Sequence, residues 1–211
     1  MAYNPYIVVD KFEKMIAKWS GARFGVAVES CSAALFLSCL YRGVKVVMIP
    51  KRTYPSVPCS IINAGGEVMF IDSAWEGIYE LRPYNIIDGA LRFKPGMYQG
   101  SAKGLHCLSF HMKKHLPIGR GGMILTNDEE AYEWLKKARF DGRDEVPLGE
   151  DSLSMIGWNM YMTPEQAVRG IQLFSTIDQR GLEDLETDKQ GYQDLSKFKI
   201  YQKKNAISKR T

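Results

Sequence analysis

The chain has 211 residues, 45% of them hydrophobic and 25% charged, which is ordinary for a globular protein with its own core. Its net charge of +4 comes from the end of the sequence, because residues 194–211 carry six basic residues and one acidic residue. No run of about eighteen apolar residues is present, so the sequence predicts no transmembrane helix. A solvated basic tail is the simplest interpretation of the charged end, and a contact with nucleic acid or an anionic surface is the alternative.

The cysteines and the first residues of the sequence indicate the cellular compartment that we expect for the protein. The four cysteines, at positions 31, 39, 59 and 107, are scattered and form no CxxC pair. This spacing suggests neither a zinc ribbon nor a disulfide framework, and it fits a reducing cytoplasm. The first residues lack the charged start, apolar core and cleavage site of a signal peptide, so we expect a cytoplasmic protein with no membrane partner.

Helical and strand patterns alternate along most of the chain. Phe12, Ile16 and Trp19 recur at helical spacing, and Gly21 can end that helix. The later predicted elements are, in chain order, a strand at 24–28, a helix at 33–40, a strand at 45–49, a helix at 55–64, strands at 67–71, 84–87, 105–110 and 123–126, and helices at 129–139 and 163–177. This alternation predicts an α/β domain with a mostly parallel sheet. Beyond Gly181 the chain is polar and lacks periodicity, which predicts a loose end.

The segment between Cys107 and Asp128 contains the most informative motif. A short apolar run leads to the pair Lys113 and Lys114, and a loop rich in glycine and proline then leads to a second apolar run. The pattern predicts a strand, an irregular loop holding a lysine, and another strand. A partly buried lysine in such a loop can lose its charge and attack a carbonyl group. The alternative is a tight hairpin whose lysines face water, and the local pattern leaves both interpretations open.

Four other positions allow a functional role beside an ordinary structural one. Ser32 lies at the predicted start of a helix, where free N–H groups suit a phosphate, although a plain helix cap gives the same pattern. Asp88 follows an apolar strand, where a carboxylate often forms a turn. Tyr54 is equally consistent with a surface aromatic residue, and Asn159 with a turn residue.

Taken together, these segments resemble the DegT/DnrJ/EryC1/StrS family of pyridoxal-phosphate-dependent sugar aminotransferases, over roughly residues 10–175. The matching motifs are Ser109-Phe110-His111 with Lys114, Leu116, Gly119, Gly121-Gly122 and Thr126-Asn127-Asp128; Ser30-Cys31-Ser32-Ala33-Ala34-Leu35; Pro50 with Thr53-Tyr54; Asp88 with Ala90; and Gly157 with Asn159. The resemblance implies a three-layer α/β fold with a mostly parallel sheet, the large domain of the aspartate-aminotransferase-like transferases of fold type I. It also implies a pyridoxal-phosphate-binding domain at residues 1–180, followed by a basic tail at 181–211.

The resemblance further implies a role for each matched side chain. Lys114 would form the Schiff base with pyridoxal 5′-phosphate, and Asp88 would pair with the pyridine nitrogen and keep it protonated. The remaining residues would contact the cofactor: Ser32, Ala33 and Ser109 at its phosphate, Tyr54 and Ala90 near its ring, and Asn159 at the phosphate held by a neighbouring subunit. Such an arrangement implies a homodimer with shared active sites.

The sequence also departs from the family pattern. Cys31 replaces a glycine, Leu91 stands where a polar residue is usual, and Tyr161 replaces an arginine. Only fifteen residues, 73–87, fill a segment that is long in the family, so the domain is expected to be shortened there. About thirty-five residues follow the last predicted helix, too few for the family's small C-terminal domain, which we expect to be missing.

The favoured function is an aminotransferase that moves an amino group from an amino acid such as glutamate to a nucleotide-linked keto sugar. A pyridoxal-phosphate enzyme of another reaction type, acting on a small substrate, is a variant of this interpretation. A second interpretation is a non-catalytic remnant that binds the cofactor or a nucleotide sugar and pairs with another subunit. A nucleic-acid partner is a third, which no fold signature supports. His111 and His115 have a zinc-like spacing, but the following proline and glycines oppose a helix, so we expect no metal site.

Overall fold

The computed structural model of the chain describes residues 4–98, 103–177 and 182–201. The α-helices in these ranges are α1 (Ile7–Ser20), α2 (Cys31–Arg42), α3 (Ser56–Asn63), α4 (Glu129–Ala138) and α5 (Pro164–Thr176). The strands are β1 (Phe24–Val28), β2 (Val46–Pro50), β3 (Glu67–Ile71), β4 (Tyr79–Leu81), β5 (Ile86–Asp88), β6 (Leu105–Ser109) and β7 (Gly122–Thr126). Short 3-10 helices lie at Leu148–Glu150, Asp188–Gln190, Leu195–Lys197 and Lys199–Tyr201. Among the described residues, no helix combines the length and the apolar character needed to cross a membrane.

Five strands form one sheet in the order β1-β7-β6-β5-β4, while β2 and β3 form a parallel pair. A bridge between Met48 of β2 and Arg82, the residue after β4, joins this pair to the edge of the sheet in antiparallel fashion. β5 and β6 are parallel, whereas β7 runs against β1 and β6, and β4 runs against β5. Five of these seven strands therefore point the same way, which confirms the mostly parallel arrangement, with β4 and β7 reversed.

Helices cover both faces of the sheet and give the three layers that the resemblance implied. On one face, α1 and α5 enclose a core that includes Phe12 and Phe110. On the other face, α2, α3 and α4 enclose a core that includes Leu35, Ile61 and Leu135. Because both faces are buried, the central strands are continuous apolar runs rather than alternating ones.

Most predicted elements are confirmed with shifts of a few residues at their ends. The helix predicted from Phe12 and Trp19 ends where expected, since Gly21 adopts a left-handed conformation with φ of 84°. One strand, β4, is absent from the predictions because its three residues are too few to establish an alternating pattern. The strand predicted at 84–87 begins later, at Ile86, because Asn85 has φ of 52° and interrupts extended backbone.

Residues 182–201 do not form the loose end that the sequence predicted. Leu195 is 3% exposed, and its N–H donates a 2.8 Å hydrogen bond to the Lys51 carbonyl oxygen. Arg92 and Asp184 also form an ion pair whose side chains are largely buried. These partners are far apart in sequence, so local periodicity could not indicate them. The predicted domain boundary at residue 180 lies outside the described residues and stays a prediction.

A buried ion network joins α1, β1 and α4. The Arg139 guanidinium is fully buried and donates to the Glu13 carboxylate, to the Ala27 carbonyl oxygen and to Glu145, the last at 2.7 Å. The second Glu13 oxygen lies 3.2 Å from the Lys136 amine. Every charge in this network therefore has an opposite partner away from water, which makes removal of one partner costly.

Replacing Arg139 with methionine is expected to lower the free energy of unfolding by about 3–5 kcal/mol, because Glu13 then keeps a buried charge with fewer partners. Urea denaturation measures the change. Arg23 provides the matched control, since it pairs with Glu129 at 3.3 Å while both side chains are more than half exposed. Arg23→Met should cost less than about 1 kcal/mol. Equal effects of the two substitutions would contradict the importance of the buried network.

Candidate active site

The loops that follow the parallel strands meet at one edge of the sheet. The register pairs Asp88 with Cys107 and Ser109 with Gly122, so β5 and β6 end side by side. Val28, the last residue of β1, pairs with the same Gly122, which brings the start of α2 to this edge. The carboxyl ends of parallel strands form the usual ligand crevice of open α/β sheets, so this edge is the candidate site.

Asp88 supplies a buried carboxylate at this edge and is 5% exposed. Its Oδ2 atom accepts a hydrogen bond from the Tyr79 hydroxyl at 2.8 Å, and its Oδ1 atom accepts one from the Ala90 N–H at 3.0 Å. Burial raises the pKa of Asp88, while these two hydrogen bonds and the positive charge of Lys114 act to lower it. The carboxylate is thus held in one orientation, in a place where a cationic partner is strongly favoured.

Lys114 lies in the loop between β6 and β7, where its N–H donates to the His111 carbonyl oxygen at 2.8 Å. The side chain is half-buried, whereas that of Lys113 is exposed. Burial lowers the pKa of the Lys114 amine, while the charges of Asp88 and Cys31 act to raise it. The predicted loop lysine is therefore partly withdrawn from water and within electrostatic reach of the buried carboxylate, unlike a lysine on an exposed hairpin.

The start of α2 packs directly against β7. A Cβ atom on Gly122 would overlap the backbone of Ser30 and Cys31, so glycine allows this close approach. Ser30 caps the helix by accepting the Ala33 N–H at 3.1 Å. The helix cap is therefore Ser30, two residues before Ser32, the candidate for a phosphate contact.

Ser32 and Ala33 line an open cavity of about 650 Å³ between α2 and α3. Its rim carries Arg120, which pairs with Glu29 at 2.6 Å. A helix start with nearby hydroxyl groups and a basic side chain is suited to an anion. The predicted role of Ser32 and Ala33 at a phosphate stays a prediction.

Ser109 and Ala90 lie at the ends of the two neighbouring strands. The Ser109 hydroxyl accepts the His111 N–H at 3.4 Å, which fixes the first turn of the lysine loop. Ala90 contributes its backbone N–H to Asp88. Both residues are therefore brought to the same edge as Lys114, and their predicted contacts with a cofactor stay predictions.

Tyr54 follows β2 at this edge, but its side chain is 59% exposed. Beside it, the segment of residues 190–201 brings in Tyr192, and both tyrosines line a cavity of about 360 Å³. Burial raises the pKa of the Tyr192 hydroxyl, and the charge of Asp88 raises it further. The Tyr192 ring also stacks on Trp75 with centroids 6.0 Å apart. Tyr192 therefore shares a cavity with the candidate residue Tyr54, although it belongs to a segment for which the sequence predicts a loose end.

Truncation after Gly191 is expected to destabilise the fold and weaken the candidate site. It removes the buried Leu195, which alone corresponds to about 1.5–3 kcal/mol of apolar burial, together with the Tyr192–Trp75 stack. Thermal unfolding and cofactor titration measure the two effects. Truncation after Tyr201 is the control, because it retains these contacts. Unchanged stability and affinity on truncation after Gly191 would contradict a structural role for the segment.

Asn159 precedes α5 and forms an isolated antiparallel bridge with Phe140. It is exposed, and its amide donates to the Asp141 carboxylate at 3.1 Å. Its neighbour Met160 lines the cavity that also contains Ser32. The predicted contact with a neighbouring subunit stays a prediction.

Three residues of the site are missing from the sequence-based set. Tyr79 donates to Asp88, and Thr53 lies 2.5 Å from the Tyr79 hydroxyl. Tyr192 stacks on Trp75, whose ring also packs against Tyr79. Thr53 belongs to a motif of the resemblance, so it was available as a candidate. Tyr79 and Tyr192 fall in segments without periodicity, where no local signal singles them out.

The histidines do not converge. His106 is 3% exposed, and its burial lowers its pKa to about 4, so it is neutral. His115 has its Nε2 atom 2.7 Å from the Glu183 carbonyl oxygen, and His111 is exposed. Within the described ranges, no three histidine, cysteine or acidic side chains form a group that could hold a metal ion.

Comparison with known proteins identifies the family. The profile of the DegT/DnrJ/EryC1/StrS aminotransferase family matches residues 3–84 and 94–201. The chain is 22% identical to UDP-4-amino-4,6-dideoxy-N-acetyl-beta-L-altrosamine transaminase of Campylobacter jejuni, over 92% of this chain and 66% of the relative. It is 26% identical to the spore coat polysaccharide biosynthesis protein SpsC of Bacillus subtilis, over 81% of this chain and 57% of the relative.

Solved structures confirm the fold. Helicobacter pylori PseC, an aminotransferase involved in the biosynthesis of pseudoaminic acid, superposes with a TM-score of 0.68 at 14% identity, over 91% of this chain and 78% of PseC. The chain spans 66% and 57% of the lengths of the two relatives above. Since the family profile matches most of the sequence, the chain belongs to the DegT/DnrJ/EryC1/StrS aminotransferase family.

Proposed function

We propose that the chain is the cofactor-binding part of a pyridoxal-phosphate-dependent aminotransferase that acts on nucleotide-linked sugars. The observation that carries the proposal is that a half-buried lysine, Lys114, and a buried carboxylate, Asp88, are brought to the same carboxyl edge of the sheet. A scaffold alone needs neither group, because both are costly to remove from water. Family membership adds that related proteins are aminotransferases.

The chemistry of the donor set fits pyridoxal phosphate. The amine of Lys114 would hold the aldehyde, Asp88 would hold the ring nitrogen, and the start of α2 near Ser32 would hold the phosphate. When bound, this cofactor supplies an electron-withdrawing ring that stabilises negative charge on the carbon next to an amino group.

Each residue then has a defined task. Burial lowers the pKa of the Lys114 amine, which increases the fraction of neutral nucleophile at a given pH. With an amino donor bound, the Lys114 Nζ atom would act as the base that takes the proton from the donor's α-carbon and as the acid that delivers it to the former aldehyde carbon. Asp88, oriented by Tyr79 and by the Ala90 N–H, keeps the positive charge on the ring nitrogen.

The substrates follow from the relatives. The Campylobacter jejuni relative is named for a UDP-linked amino sugar, so we propose a nucleotide-linked keto sugar as acceptor for the complete site. We propose an amino acid such as glutamate as donor. Because the chain spans about two thirds of that relative or less, both substrates belong to the proposal.

The test is spectroscopic. Purified chain is mixed with pyridoxal phosphate, its visible spectrum is recorded, and borohydride is added before peptide mapping. A label on Lys114 is expected, together with a spectral change when L-glutamate is added before borohydride. A label without any response to amino donors would favour the non-catalytic remnant, and no label at any lysine would refute the proposed function.

We further propose a homodimer in which Asn159 reaches the partner's site. Asn159 is exposed and held by Asp141, so it is available to a second copy. In a symmetric pair each chain would lend Asn159 to the other. Mixing Lys114→Ala chains with Asn159→Ala chains should regenerate one intact site in each mixed dimer, about a quarter of the parental sites. A monomer in solution that binds the cofactor as tightly as the family's enzymes would contradict sharing.

A further inference from the structure

Tyr79 connects Asp88 to the loop after β2 through two hydrogen bonds. Its hydroxyl donates to Asp88 Oδ2 at 2.8 Å and lies 2.5 Å from the Thr53 hydroxyl oxygen. A phenol carries one proton, and here that proton points to Asp88, so Thr53 must donate to the phenolic oxygen. The hydrogen bonds therefore run in one direction, from Thr53 through Tyr79 to Asp88.

This chain of hydrogen bonds is buried along its whole length. Thr53 is 1% exposed, Asp88 is 5% exposed and Tyr79 is 8% exposed. Water can hardly replace a donor lost from such a place, and each bond in a dry chain strengthens the next. The Tyr79 ring also packs edge-on against Trp75 with centroids 4.6 Å apart, which restricts rotation of the phenol.

We propose that Tyr79, supported by Thr53, is a positioning residue that orients the Asp88 carboxylate for the pyridine nitrogen of the cofactor. The inference rests on the proposed function, because it takes Asp88 as the partner of that nitrogen. Tyr79 holds one carboxylate oxygen and the Ala90 N–H holds the other, so the carboxylate plane is fixed. These donors use two of about four acceptor positions, which leaves capacity for a protonated ring nitrogen.

The segment of residues 73–87, which the sequence analysis expects to be shortened, contains the strand that supports Asp88. Tyr79 belongs to β4, a three-residue strand in the stretch between β3 and β5. The register of β4 and β5 places Tyr79 directly opposite Asp88. A short strand is therefore sufficient to position a donor beside the buried carboxylate.

The test compares two ligands on the apo protein. Tyr79→Phe keeps the ring and its Trp75 contact but removes the donor, and Thr53→Val removes the second hydroxyl at similar volume. Pyridoxal phosphate and an analogue with C–H in place of the ring nitrogen are titrated by calorimetry. Compared with the parent, Tyr79→Phe should bind pyridoxal phosphate about 3- to 10-fold more weakly, in line with one lost hydrogen bond. The affinity for the analogue should be the same in the parent and in Tyr79→Phe. Thr53→Val should give a smaller loss in the same direction.

A second readout needs no cofactor. The Asp88 carboxyl group is titrated in the apo protein by ¹³C NMR, with Asp88→Asn to assign its signal. Tyr79→Phe removes a hydrogen bond that favours the charged carboxylate, so Asp88 should titrate at higher pH. Equal weakening for both ligands, or an unshifted Asp88 titration, would overturn the proposal and leave Tyr79 a packing role only. Failure of the parent to bind pyridoxal phosphate would refute the proposed function and the cofactor role of Tyr79, while the apo titration still reports on the hydrogen bond itself.

Discussion

Alanine at position 114 is expected to abolish covalent attachment of pyridoxal phosphate. The side chain of Lys114 is half-buried, and this burial lowers the pKa of its amine. The negative charge of Asp88 acts on the same amine. Without its amine, the aldehyde has no nucleophile at the carboxyl edge of the sheet. Intact-mass measurement after borohydride reduction should therefore give a full label for the parent and no label for Lys114→Ala. The visible band of the bound cofactor should vanish as well.

Lys113 provides the matched control for this substitution. It is the adjacent residue, it is exposed, and Lys113→Ala removes the same charge from the same loop. Labelling should persist in Lys113→Ala, with the modified peptide still containing Lys114. A label found on Lys113 in the parent protein would show that Lys114 is not the attachment site. A label that persists in Lys114→Ala would show the same.

Asp88→Asn is expected to reduce the rate of transamination by roughly 10²-fold or more, the scale of losing one preorganised electrostatic contact. A neutral amide cannot hold the positive charge on the ring nitrogen. The amide oxygen can still accept one of the two existing hydrogen bonds, so the fold should survive. Stopped-flow spectra with L-glutamate measure the rate, and transamination as fast as in the parent would refute the role of Asp88.

The same variant should behave differently in stability measurements on the apo protein. Burial raises the folded-state pKa of Asp88 above its ordinary value, so the protonated form favours folding. That contribution is fully present below the unfolded-state pKa, about 4, and is lost as the pH rises through the raised folded-state value. At pH 7 the parent therefore bears the cost of a buried charge that Asp88→Asn lacks.

Urea denaturation across pH 4–8 should thus find Asp88→Asn at least as stable as the parent at neutral pH, with the parent gaining relative stability as the pH falls. Asp128→Asn is the control, because it removes one carboxylate at the cap of α4, where asparagine serves equally well. That control should leave both stability and rate nearly unchanged. A large loss of stability in Asp88→Asn at pH 7 would indicate that Asp88 is a structural residue.

Much of the architecture follows from local sequence. The helical spacing of Phe12 and Trp19, the strand runs at 24–28 and 67–71, and the caps and glycines at element ends are short-range patterns. They depend on backbone conformation and on which face of an element is apolar, and both properties are encoded within a few neighbouring residues. The loop containing Lys114 was predictable for the same reason, since glycine and proline mark where regular structure stops.

The environment of the site was not predictable in this way. The local pattern pointed to Lys114 and the family resemblance to Asp88. Neither could indicate that Asp88 is buried or that Tyr79 and Thr53 stabilise its charge. Burial and hydrogen-bond partners depend on pairing between strands and on packing between loops that are distant in sequence. A three-residue strand such as β4 becomes recognisable only through its partner β5.

Residues 182–201 show the same difference between what local sequence indicates and what tertiary packing decides. Its composition determined that it would be basic and polar, and the absence of periodicity suggested a loose end. Only the tertiary structure decided that Leu195 is buried and that Tyr192 stacks on Trp75, because the carbonyl group and the aromatic ring that hold them belong to Lys51 and Trp75. A single apolar residue gives no pattern by itself, and it is buried when a distant part of the chain offers a surface that excludes water.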